Sequence, residues 1–193
     1  CYPNNFKIAK ETPMKNIINV EVKNWQRYTC DKNLSTELLN EALNNALEKI
    51  DMLHNDIGEN FATSKSNNNV YAYNDYTGGD WNLGFTTGLY WLAYEATGDD
   101  KYKQWALAQI PGFYKKIDEK INVNHHDMGF LYVPSCVAAY KLTGDEQAKQ
   151  AALKAADHLL TRYIPKGGYI QAWGDVGTQS RFIVDCMNNI PLL

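Results

Sequence analysis

The 193-residue sequence contains no run of eighteen apolar residues, so it offers no helix able to span a bilayer. It has no basic block either. Nineteen Lys and Arg stand against 22 Asp and Glu, for a net charge of −3 and a pI near 5.8. That balance argues against a nucleic-acid backbone as partner. The four cysteines, Cys1, Cys30, Cys136 and Cys186, show no CxxC or metal-like spacing and make no disulfide framework. Gly78-Gly79 is too short to form a phosphate cradle. A globular protein that handles neither nucleic acid nor, by any recognisable motif, nucleotide phosphate is what remains.

Aromatic residues are plentiful, with five Trp and thirteen Tyr. Flat faces with polar tips suit sugar rings and helix packing equally well. The first residue is Cys rather than Met, as in a lipoprotein whose signal has been removed. On that reading the protein is periplasmic or lipid-anchored; otherwise a bacterial cytoplasmic location is expected.

Residues 1–33 read as an extended arm, since Pro3 and Pro13 discourage helix and residues 17–22 alternate weakly like a strand. A helix starts near Ser35, a capping type, with Leu39, Leu43, Ala46, Ile50 and Leu53 on one face. Residues 55–79 are expected as a long Asn-, Ser- and Gly-rich loop. An inner helix follows, from Trp81 to Thr97, stopped by Gly98, and then an amphipathic one from Asp99 to about Lys120 with a kink or break at Pro111. A further apolar helix spans Phe130 to Thr143 before Gly144. Asp145 caps an amphipathic helix to about Tyr163, and a last apolar helix is expected from about Arg181.

An internal repeat strengthens this reading. Residues 93–107 align with residues 139–153, with nine of fifteen positions identical at an offset of 46 (139 minus 93). A period of that size means stacked helical hairpins, none able to bury its apolar face alone. Short turns lie at one end of the stack and long loops at the other. The long loops carry Gly79-Asp80-Trp81, the run Asn124-His125-His126-Asp127-Met128-Gly129, and the stretch from Gln171 to Asp185. Because 81 plus 46 is 127, Trp81 and Asp127 occupy equivalent places, and the three loops are expected to share one mouth.

Two imidazoles beside a carboxylate suit a site that handles protons. The plainer readings are weighed with it. Asp80, Asp127 and Asp145 are ordinary capping types. Asp185 follows Phe182-Ile183-Val184, which places it inside the expected helix, where a carboxylate is costly unless it faces a polar cavity. His125-His126-Asp127 has no third ligand cluster at a recognisable spacing, so neither a metal nor a cofactor is expected. His54 and His158 are expected on outer helices, Trp91 and Trp105 in the core, and Cys136 and Cys186 as small buried hydrophobes.

Gly79-Asp80-Trp81, Gly84-Phe85, the HHDMGFLY run, Tyr169-Ile170-Gln171-Ala172-Trp173-Gly174 and the stretch from Arg181 to Leu193 together resemble glycoside hydrolase family 88, the unsaturated glucuronyl hydrolases. The resemblance runs from about Tyr71 onward. It implies an all-α fold, an (α/α)6 toroid of helical hairpins, of which residues 34–193 supply about three. The missing C-terminal half, or a second chain, would then close the ring. It also implies hydration of the C4=C5 vinyl ether in a 4,5-unsaturated uronic acid at the non-reducing end of a lyase product. Asp185 then matches the general acid/base and Asp127 the second essential carboxylate. Trp81, His126 and Trp173 match substrate-contacting positions, and Asp80 and Gln171 join them from the same motifs. The chain departs from the pattern at Asn82, where many relatives carry Thr. The unsaturated rhamnogalacturonyl hydrolases of family 105, on the same fold, and a non-catalytic helical-repeat binding module remain as alternatives.

Overall fold

The computed structural model describes residues 35–79 and 81–193. The arm expected over 1–33, and Asp80, lie outside the described residues. The chain divides into two compact units, Cys1–Glu41 and Ala42–Leu193. In the first, the described residues open helix α1 (Thr36–Ile57), where Ser35 Oγ accepts from Leu38 N at 3.2 Å as a cap.

The second unit is all-α apart from two small hairpins. After α1 come β1 (Phe61–Asn67) and β2 (Val70–Asn74), then α2 (Leu83–Thr97) and α3 (Asp100–Asp118). Next are α4 (Met128–Tyr132), a π-helical segment (Val133–Val137) and α5 (Ala138–Thr143), which together make one inner rod. α6 (Glu146–Leu160) is followed by β3 (Tyr163–Ile164), β4 (Tyr169–Ile170), α7 (Cys186–Asn189) and a closing 3₁₀ turn, Ile190–Leu192. α2 with α3, and the α4–α5 rod with α6, are the two copies of the repeat. They are stacked helical hairpins of the α/α toroid type.

The repeat recurs in its turn chemistry. Thr97 Oγ1 donates to Ala93 O at 2.7 Å and accepts from Asp99 N at 3.1 Å. Thr143 does the same with Ala139 O at 2.7 Å and Asp145 N at 3.2 Å. Gly98 and Gly144 follow at φ 71° and 77°, a left-handed conformation that costs a residue with a Cβ. Asp99 and Asp145 then cap the outer helices, accepting from Lys101 N at 3.0 Å and Ala148 N at 2.7 Å. The hairpins pack through fully buried Tyr90, Trp91, Leu131 and Tyr132 against the alanines Ala106, Ala148, Ala151 and Ala155. Small residues on the outer helices let large ones on the inner helices interdigitate. Trp91 and Cys136 are buried as expected, and burial pushes the Cys136 thiol up to about 12, leaving it unreactive.

Four expectations are corrected. Residues 61–74 are not loop but an antiparallel hairpin, turned at Asn68 and Asn69 with φ of 50° and 62°. Two successive positive φ values are what a tight hairpin needs, and asparagine tolerates them. α3 runs through Pro111 without a break. Of the apolar face drawn along α1, Ile50 alone is buried: Leu39, Leu43 and Ala46 are exposed and Leu53 is half-buried. Finally, no helix begins at Arg181: the segment is irregular there, and helix starts only at Cys186.

Asp145→Ala removes a cap far along the chain from the histidine run. It should cost roughly 1 kcal/mol, read as a shifted denaturation midpoint with an unchanged slope; an unchanged midpoint would contradict the cap.

Candidate functional site

α4 starts right after the histidine run, so its first turn aims that loop at the stack's open end. Asp127 stands at the capping position, yet its side chain makes no cap bond. Instead Oδ2 lies 3.0 Å from His125 Nδ1, and Oδ1 lies 3.3 Å from His126 Nε2. The same His126 Nε2 lies 3.5 Å from Asp185 Oδ1. One imidazole nitrogen therefore stands between two carboxylates from opposite ends of a 58-residue stretch (185 minus 127).

Asp185 also sits at a capping position, before α7, again without a cap bond. Its side chain is 35% exposed and that of Asp127 16%, whereas His126 is 1% exposed. The pair thus faces outward over a buried ring. Asp185 Oδ1 and His126 Nδ1 have no hydrogen-bond partner among the described residues. Donor atoms of His126, Asp127 and Asp185 lie within 4.8 Å of one another, a set that could hold a divalent ion as well as pass a proton. Burial pulls the His126 pKa down, while Asp127 and Asp185 push the other way. Desolvation wins, so the ring is held neutral over a wider range than a free imidazole.

Backbone pairing joins the histidine run to the 171–185 loop. His126 N donates to Ala172 O at 2.7 Å, and Ala172 N donates to Arg181 O at 2.9 Å. Buried Arg162 ties the same two loops together, reaching Gln171 O at 2.8 Å, Asn124 Oδ1 at 2.6 Å and Gly174 O at 2.9 Å. Buried Asn189 joins α4 to α7: its Oδ1 accepts from Phe130 N at 3.0 Å, and its Nδ2 donates to Asp185 O at 3.2 Å.

Trp81 is 46% exposed and packs with Phe85 and Phe130 in a triangle of rings, with centroids 5.1 to 5.8 Å apart. Phe130 lies one helical turn past Asp127, so Trp81 packs against the helix that the histidine run opens. Trp173 is 42% exposed, bridges to His125 through the backbone and carries the Arg181 guanidinium 5.4 Å above its ring. Gln171, expected among the substrate contacts, is fully buried. Its Nε2 donates to Trp173 O and Asp175 O, both at 3.0 Å, and its Oε1 accepts from Gly177 N at 2.9 Å. His158 is satisfied by Val123 O at 2.8 Å, and His54 stacks on Trp105 at 3.7 Å.

Sequence reasoning placed His125 in the mouth without a role, and missed Arg162 and Asn189. Arg162 falls in the turn after α6 and Asn189 at the end of α7, where polar residues are ordinary, so the sequence carried no signal for either.

A sequence profile of Glycosyl Hydrolase Family 88 matches residues 53–186. The chain belongs to this family. The unsaturated chondroitin disaccharide hydrolase of Streptococcus pyogenes serotype M1 is 43% identical over 183 residues, covering 94% of this chain and 45% of the relative. The crystal structure of unsaturated glucuronyl hydrolase from Streptococcus agalactiae superposes with a TM-score of 0.86 at 38% identity, over 93% of this chain and 45% of that one. An aspartate-to-asparagine mutant of the same enzyme, complexed with dGlcA-GalNAc6S, gives a TM-score of 0.74 at 35% identity, over 88% and 40% of the two chains. The chain thus spans about half the length of the family 88 relatives it matches.

Three histidines, one buried and two half-buried, predict a pH response. His54, His126 and His158 all have pKa values lowered from 6.5, with burial the largest cause for each. Below 6.5 the unfolded chain binds protons that the folded one refuses, so stability falls as pH drops. Tm should decline from about pH 7.5 to about 5.5, more steeply than in a His158→Asn variant. A flat profile would contradict the burial of these rings.

Proposed function

We propose that this chain carries one wall of the active site of an enzyme that removes a 4,5-unsaturated uronic acid from the non-reducing end of lyase-generated oligosaccharides. The observation that carries the reading is the junction of Asp127, His126 and Asp185, at the motifs shared with family 88. The names of the relatives point to unsaturated chondroitin disaccharides as the first substrates to try. The S. agalactiae complex supports the same class, since its ligand is a dGlcA-GalNAc6S disaccharide. Neither a metal nor a cofactor enters the proposed reaction.

Asp185 is the general acid/base. Its carboxyl proton goes to C4 as water attacks C5, and the water's proton returns to the carboxylate. The C5 hemiketal then opens by breaking its bond to the ring oxygen. The hemiacetal left at C1 collapses to an aldehyde and releases the remaining sugar. Asp127 faces the developing positive charge at C5 and stabilises it, a role for a charge fixed before reaction begins. His126, neutral and between both carboxylates, keeps them at working distance. Trp81 and Trp173 offer their exposed faces to sugar rings, with Asp80 beside Trp81 in sequence as a further substrate contact, while buried Gln171 holds the loop that carries Trp173. The doubled length of the relatives supports further helical hairpins, in the same or another chain, as the opposite wall.

The test uses the full-length protein with an unsaturated chondroitin disaccharide and follows ultraviolet loss of the conjugated double bond. Turnover is expected. Asp185→Asn should lower kcat at least a hundredfold, about what a lost general acid removes, with the circular dichroism unchanged. Persistent turnover in that variant would refute the acid's assignment, and no turnover of any unsaturated uronide by the parent protein would refute the reading.

A further inference from the structure

The histidine run holds a second imidazole that the proposed chemistry leaves idle. We propose that His125 is a positioning residue, which fixes Asp127 and ties it to the loop carrying Trp81. The inference rests on the hydrolase reading for its kinetic consequences and on geometry alone for its contacts.

His125 Nε2 lies 3.0 Å from Asn122 O. A carbonyl only accepts, so Nε2 carries a hydrogen. Nδ1 faces Asp127 twice, with the amide N–H at 3.1 Å and carboxylate Oδ2 at 3.0 Å. The amide contact uses a lone pair on Nδ1 and the carboxylate contact uses a proton. Either way the ring is bound to Asp127, through its main chain or through its side chain.

The other end of the link is as firmly held. Asn122 has φ 48°, a left-handed conformation that asparagine tolerates, and its carbonyl meets His125 Nε2. Its Nδ2 donates to Thr77 O at 2.8 Å. Buried Lys116 grips the same loop, donating to Tyr76 O at 3.2 Å and Gly78 O at 2.6 Å. Thr77 stands four residues before Trp81 in sequence (81 minus 77). A continuous path of hydrogen bonds therefore runs from the Trp81 loop through Asn122 and His125 to Asp127. With the side chain of His125 only 19% exposed, the ring has little freedom to leave it.

A ring that positions Asp127 affects kcat more than substrate affinity. In the full-length protein, His125→Ala should lower kcat by about tenfold to a hundredfold, the scale of a misplaced catalytic group, with KM within about threefold. His125→Asn keeps an acceptor near the Asp127 amide and should recover part of the loss. Equal kcat in His125→Ala and the parent overturns the proposal, as does a loss confined to KM. Two-bond proton–nitrogen spectra of the parent protein read the contacts independently of turnover. A protonated Nε2 is expected, and a bare Nε2 overturns the proposal. A parent protein that turns over nothing sinks the hydrolase reading, and the spectrum then decides on His125 by itself.

Discussion

A Cβ added at Gly129 would lie 2.8 Å from Asn189 O and closer still to Asn189 Cα, so α7 rests on α4 at a separation that only glycine allows. At that separation the Asn189 side chain reaches Phe130 N on one side and Asp185 O on the other. On its other flank α4 meets α2 at Gly84, where an added Cβ would collide with the Phe130 and Leu131 carbonyls. α4 is thus pinched between its neighbours by two absent side chains. The span from Asp127 to Asp185, and the packing of Phe130 on Trp81, follow from that pinch.

Around it, buried polar groups hold backbone rather than one another. Arg162, Gln171, Lys116 and Asn189 are each at most 1% exposed, and each spends its hydrogen bonds largely on loop main chain. Leaving one such buried group unpaired costs about 1–3 kcal/mol. Loops tied down this way lose the freedom that loops normally keep, at the end of the stack where aromatic faces and carboxylates converge. Burial draws the Arg162 pKa down while Asp127 opposes the shift, so the cation owes part of its stability to the site it supports.

The hairpin repeat was legible because its signals are local: a threonine that bonds back to its own helix, a left-handed glycine and an aspartate cap all lie within a few residues. The 61–74 hairpin was legible in principle, through Asn68-Asn69 between Tyr- and Val-bearing flanks, but its polar composition read as loop. The stretch before Asp185 was not legible. Phe182-Ile183-Val184 looks like a buried helix, yet Val184 is 82% exposed, and the Arg181 carbonyl is taken by Ala172 N. Pairing across sequence distance overrode local propensity. For the same reason Asp127 could be singled out from its neighbours, whereas the partners of His125 appear only when residues 122 and 77 are brought together.

The paired Thr-Gly-Asp turns have a consequence for how such a protein is made by descent. Each 46-residue unit contains its own stop, its own reversal and its own start, all satisfied by atoms inside the unit. A gene segment encoding one unit can be copied in tandem without new chemistry at its ends, since each new turn arrives already satisfied. What diverges is the opposite end, where one copy carries Trp81 and the other Asp127. The scaffold stands twice, and unlike residues at equivalent places make two copies of one hairpin complementary parts of one mouth.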